Sequence, residues 1–369
     1  MAGVGVNPKP VTAAASPRIV WLDAVRALAA QLIVLHHLAF YGPMAERVSL
    51  IAPGLIDWFA EYARIAVQVF LVMGGFLAAS HLEWSSRLDA AAVLRSIGRR
   101  YVRLFVPFAV AVTLAVAAGW LARPWAGDAD WVPDALTLSV LAAHIVLLFG
   151  YLDIEALTAG AWYVAIDLEL HIVLTLLIWA AQRLGVDPSR ARQCFKISVV
   201  MLAGLSALVI NRNPQLDETS LYFFGAFAAG IAAFWLSAPN GSRSARLAGV
   251  AVLGLTVLAL WIDFRLRLAV ALATAVGIIV LVRWVGAARQ AASVGARARV
   301  ERAVGWLGRS AYSLFLVHFP LAVVINALYL RFFPGQLTAA VVGMLVAWLG
   351  SLPLAWLMWR MVESRVLQR

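Results

Sequence analysis

Apolar residues in this chain gather into long runs instead of the short alternating or amphipathic patterns of soluble elements. Each run is about 17 to 25 residues long and bounded by charge or proline, the length at which a helix crosses a bilayer core. Ten such helices are predicted, at roughly 19 to 40, 63 to 81, 103 to 121, 160 to 182, 196 to 211, 219 to 237, 247 to 263, 267 to 283, 310 to 330 and 337 to 359. An eleventh segment, "PDALTLSVLAAHIVLLFGYL" at 133 to 152, is nearly as apolar and has to be placed by charge.

With ten crossings and both termini in the cytoplasm, 22 of the 30 Lys and Arg residues fall on cytoplasmic segments, 7 fall on external ones, and Arg26 lies within the first span. That asymmetry follows the positive-inside rule. A crossing at 133 to 152 would exchange the sides of every later loop and erase it, so this segment is expected to be a re-entrant or interfacial helix on the external face. Asp128, Asp130, Asp134, Asp153 and Glu155 around it suit the side poor in basic residues. The expected fold is an all-α membrane protein of about ten transmembrane helices. A flexible cytoplasmic tail occupies 1–17, the membrane domain 18–364 and a second cytoplasmic tail 365–369. Nothing before the first run reads as a cleavage site, so that run is taken as a retained helix.

Composition agrees with a bilayer as solvent. Of the 369 residues 63% are hydrophobic and 13% charged, against roughly a quarter charged in soluble domains. The net charge of +11 does not point to nucleic acid, because the basic residues are scattered between apolar runs and form no continuous patch. The largest basic loop, 283 to 309, reads as a cytoplasmic connector drawn to anionic lipid, with binding of an anionic cofactor as the alternative. Cys194 is the single cysteine, which excludes an intrachain disulfide and a cysteine-based metal centre.

The first run, "LDAVRALAAQLIVLHHL", contains an arginine and two histidines. Arg26 and His37 are 11 residues apart, three helical turns plus about 20°, so they share a face some 16 Å apart along the axis. His36 points about 80° away, and Asp23, three residues before Arg26, is placed to pair with it. A charge at mid-membrane costs from about 3 to over 10 kcal/mol, so a polar cavity is expected: Arg26 to hold an anionic group and His37 to move a proton. The rival reading lets Arg26 reach headgroups and puts the histidines at the interface.

Further polar residues recur inside other spans. The second span carries a small-residue surface at Gly74, Gly75, Ala78 and Ala79, suited to close helix approach. Arg99, Arg100 and Arg103 gather three cations at the start of the third, either as a positive-inside anchor or as a site for the phosphates of a cytoplasmic cofactor. In "GAWYVAIDLELHIVL", Trp162 precedes Asp167, Glu169 and His171; Asp167 and His171 share a face and Glu169 points elsewhere. Counted from the external end, Asp167 reaches a depth comparable with His37, so the geometry allows a carboxylate orienting an imidazole there, with a plain polar contact inside the membrane as the equal alternative. The ninth span adds Ser310, Tyr312, Ser313 and His318, the last expected to make an interhelical hydrogen bond.

Taken in order, "LDAVRA" with its Arg26-to-His37 spacing, "VFLVMGGF", "RRYVR", "WYVAID", "SAYSLFLVHFP" and "WRMVES" resemble the acyltransferase-3 family of membrane O-acyltransferases, over residues 18 to 364. The resemblance implies a ten-helix enzyme of the bacterial inner membrane. It would transfer an acyl group, usually acetyl, from cytoplasmic acyl-CoA to a hydroxyl of a cell-surface polysaccharide, lipid-linked glycan or glycolipid. Acyl-CoA would be a co-substrate, with no permanently bound cofactor. His37 matches the family's essential histidine, Arg26 its partner arginine, and Arg100 and Arg103 its cytoplasmic arginine motif. This chain departs from the pattern at Gly74, where the family usually has serine; at Asp167, where it usually has glutamate; and at Val106, one position before Pro107. A secondary transporter using the buried His, Arg and Asp as a proton-coupled site is the alternative reading.

Overall fold

A computed structural model describes residues 20–82, 84, 87–185, 187–239, 241–288 and 304–367. The tail expected at 1–17, most of the basic 283 to 309 loop and the last two residues of the C-terminal tail lie outside the described residues. Among the described residues all regular structure is helical: α1 (Val20–Phe40), α2 (Pro43–Ser49), α3 (Pro53–Tyr62), α4 (Val67–Ser80), α5 (Ala90–Ala126), α6 (Leu138–Val146), α7 (Ala161–Leu184), α8 (Pro188–Leu208), α9 (Ser220–Ser237), α10 (Arg243–Ile262), α11 (Leu266–Ala288), α12 (Ala311–Phe332) and α13 (Leu337–Met358). Ten helical stretches among them are long and apolar enough to cross a bilayer, and each overlaps one of the runs read from the sequence.

Two of the stretches that begin well before their apolar runs are extended by local chemistry. α5 reaches 37 residues since the Asp89 carboxylate caps it, accepting from Ala92 N at 2.6 Å, and Ala, Leu and Arg carry the helix into its basic part. The second stretch starts at Pro53 because α3 continues through a 3₁₀ turn at Ala63–Ala66 into α4.

Segment 133 to 152 forms the nine-residue α6, about 13 Å of helix and too short to span, and a 3₁₀ turn at Gly150–Leu152. Pro133 packs against Gly119 near the end of α5, and Tyr101 Oη near its start donates to the Ile145 carbonyl at 2.6 Å. The chain therefore runs back along α5 from Gly119 to Tyr101, about 27 Å. It turns at Leu147 and Asp153, both at positive φ (57° and 53°), and buries Leu157 and Thr158 completely before α7 begins. His144 holds this fold-back shut: its Nδ1 donates to Val140 O (2.8 Å) and its Nε2 accepts from Leu157 N (3.0 Å).

α9 is the central helix, packed on α4, α8, α10 and α11 through Phe223, Phe224, Phe227 and a run of alanines. It crosses α4 backbone to backbone. A Cβ on Gly75 would collide with the Phe227 carbonyl, and one on Gly230 with the Val72 carbonyl. The small-residue surface read from the sequence is therefore a packing face. At Gly42 the chain takes φ 93° under the Asn326 side chain, whose Oδ1 accepts from Met44 N at 3.3 Å. That clasp ties the end of α1 to α12.

Candidate active site

A cavity of about 1240 Å³ lies among the end of α1, α3, the start of α4, the fold-back between α6 and α7, and α12. His36 and His37 both line it. Their rings are fixed differently, as a helix that turns 100° per residue requires: His36 Nδ1 donates to Phe59 O (3.2 Å), whereas His37 Nδ1 lies 2.8 Å from His318 Nε2. His318 is 1% exposed, and its own Nδ1 is 3.0 Å from the Leu314 carbonyl. A carbonyl can only accept, so Nδ1 of a neutral His318 carries the proton and its Nε2 the lone pair. His37 Nδ1–H then donates to that lone pair, and His37 Nε2 is left as a bare base. His37 is 7% exposed and its Nε2 has no partner among the described residues. The interhelical bond expected of His318 is thus made to His37.

Trp162 and Glu169 form another wall of the cavity. Glu169 Oε2 accepts from Tyr151 Oη (2.8 Å) and Ser220 N (3.1 Å), while its Oε1 is sealed from solvent and has no partner among the described residues. Burial, and then the bond to Glu169, raise the Tyr151 phenol above its ordinary range, so it stays a donor. The remaining wall is acidic. Asp57 and Glu61 come from α3, Asp130, Asp153 and Glu155 from the stretch between α5 and α7, and Asp217 and Glu218 from the turn before α9. Arg64 and Arg267 are the cations lining it.

A second polar cluster lies deeper along α5. Arg100 Nη2 donates to both Asp167 oxygens, at 2.7 and 2.6 Å, and its Nε has no partner among the described residues. His171 Nε2 meets Ser96 Oγ at 3.2 Å. Asp167 and His171 therefore share the face turned to α5 and Glu169 points away from it, as their spacing predicts. Of the two readings of Asp167, the polar contact inside the membrane is the one made, to Arg100 and not to His37. α7 begins with Gly160 packed beneath Phe315, about one turn into α12, so Asp167 sits farther from the cavity than counting from an external boundary implies.

Around that pair, Arg99 and Arg103 are exposed on α5. Arg103 lies within electrostatic reach of Arg100, Asp167, Glu363 and Arg26. Arg26 makes no ion pair with Asp23, which is buried where Gly308 packs against it; among the described residues Arg26 has no hydrogen bond or ion pair. Glu363 was not singled out from the sequence. It closes a π-helical turn at Trp359–Glu363, is 8% exposed and accepts from Ser313 Oγ at 2.7 Å; π turns often mark functional positions. Its signal was the "WRMVES" motif that contains it. Ser310 Oγ bonds Trp306 O (3.1 Å) and Tyr312 Oη bonds Leu104 O (2.9 Å), ties that hold α12 in place.

Between the cavity and this cluster stands an aromatic layer. Tyr163 packs on Phe70 (5.9 Å between centroids) and on Phe315 (5.4 Å), a cavity residue, while lying within electrostatic reach of Asp167, Arg100 and Arg26. On the face of α1 that carries both, His37 lines the cavity and Arg26 does not; Arg26 lies within electrostatic reach of the deeper cluster.

Residues 19–360 match the family model described as the acyltransferase domain of the acyltransferase-3 family. No curated protein and no solved structure matches the chain significantly. The transporter alternative gains no support from a match of this extent, which covers both polar clusters apart from Glu363. The chain belongs to the acyltransferase-3 family and is a multi-pass membrane acyltransferase.

Proposed function

We propose that the enzyme transfers an acyl group, usually acetyl, from cytoplasmic acyl-CoA to a hydroxyl of a surface glycan or glycolipid at the bacterial inner membrane. Both termini lie in the cytoplasm, the α6 fold-back is re-entrant from the outside, and the cavity opens outward. The distribution of 22 against 7 basic residues supports that orientation. So does the cavity's acidic lining, which lies wholly on the side poor in Lys and Arg.

The observation that carries the reading is the bare Nε2 of His37 at the cavity wall. In the proposed reaction Nε2 takes the proton of an acceptor hydroxyl as its oxygen attacks the thioester carbonyl, and the intermediate collapses by breaking the C–S bond. The imidazolium then protonates the departing CoA thiolate, so ester and free CoA are the products and His37 returns to its starting form. Exposed Arg99 and Arg103, with the free edge of Arg100, are the groups for CoA phosphates; Arg26 and Glu363 stand where the acyl end would pass. Asp167 positions Arg100. The acyl end must pass the Tyr163 layer to reach His37.

His37→Ala, purified and reconstituted with acetyl-CoA beside membranes containing the natural acceptor, is expected to lose acyl transfer by about 10²-fold or more. Transfer at the native rate by a folded His37→Ala protein would overturn the mechanism.

A further inference from the structure

We infer that the cavity admits uncharged or cationic hydroxyl compounds and turns anionic ones away. The inference rests on the acyl-transfer reading for what enters, and on the cavity alone for the charge it must carry.

Eight carboxylates line the space, and among the described residues none of them forms an ion pair. They stand on four separate parts of the chain, so their negative potentials add within one space. The two cations do not balance it: Arg267 is turned to Tyr222, hydrogen-bonding the hydroxyl and lying 5.2 Å over the ring. Phe149, Phe223, Phe315 and Phe319 fill the wall between the charges, and low-dielectric walls of this kind focus a field into the gap they enclose. The carboxylates feel one another: Glu218 is raised above the usual range by burial and by neighbouring Asp217 and Asp153. The same wall holds the 93% buried His37, whose Nε2 has no partner among the described residues, which marks the space as a place where a ligand is received. A uronate, sulfate or phosphate beside the reacting hydroxyl would enter against this field; an amine would enter with it.

The test reads the potential directly. Ala156→Cys in the cavity wall, in a Cys194→Ala chain, is labelled by methanethiosulfonates bearing a trimethylammonium, a hydroxyl or a sulfonate group. Each rate is divided by that of a small free thiol. Cationic reagent is expected to exceed anionic by about tenfold or more at low salt, with the ratio shrinking toward one in 1 M salt. It should also shrink in the Asp153→Asn/Glu155→Gln/Asp217→Asn/Glu218→Gln chain, whose labelling by the hydroxyl reagent stays unchanged and shows the fold intact. A normalised ratio of one or below in the native chain overturns the inference. Because no acyl transfer is needed for this readout, that result is distinct from a failure of His37→Ala to lose activity.

Discussion

His37 gets its orientation from a neutral imidazole and a backbone carbonyl instead of a carboxylate. The chain His37, His318, Leu314 carries no charge, so it fixes the ring and its tautomer without placing an uncompensated ion in an apolar core. His318→Leu leaves the buried Nδ1–H of His37 unpaired, at a cost of about 1–3 kcal/mol, and frees the ring to flip its tautomer. Acyl-transfer kcat is expected to fall about 10²-fold with KM for acyl-CoA unchanged. In His318→Gln, whose Oε1 can accept the same proton, much of the loss should be recovered. Equal kcat for the Leu variant and the native enzyme would remove His318 from the mechanism. At this scale the sequence was informative where one helix decides: the phase of α1 separated His37 from His36, and that of α7 separated Glu169 from Asp167 and His171. It was silent on His37–His318, because 281 residues separate the partners and no local spacing records such a contact.

At the scale of elements, the ten apolar runs were legible because a bilayer-length helix needs no tertiary information. The start of α7 was not. Burial of Leu157, Thr158 and Gly160 under α12 shifts the whole helix relative to its neighbours, which moves Asp167 from His37 to Arg100. The α4 and α9 crossing offers a sharp test. Gly75→Ala and Gly230→Ala each place a methyl group on a carbonyl of the facing helix, overpacking that costs about 1–3 kcal/mol or more. Gly74→Ala places it 3.7 Å from the Phe227 ring, an ordinary contact. Thermal unfolding in detergent should show a clear loss for the first two and little change for the third. Equal effects at all three positions would mean the crossing is looser than described. The same room at Gly74 explains how a family that usually carries serine there can lose it without repacking.

Across the whole molecule the two polar clusters lie on one face of α1, with Tyr163 between them. Proton bookkeeping follows from the way the His37 chain terminates. A relay passes a proton on only if its last member has another site to release it to, and the Leu314 carbonyl has none. In the proposed reaction, whatever His37 takes up at Nε2 would have to leave from Nε2, to the thiolate formed in the same turnover. Neutral alcohol and neutral thioester become neutral ester and neutral thiol, so each cycle is electrically silent. The enzyme would then neither draw on nor dissipate the gradient across the membrane that holds it. In sealed vesicles with acyl-CoA supplied, a protonophore is expected to leave the transfer rate unchanged, and a rate that collapses with the gradient would mean the imidazole has a second outlet.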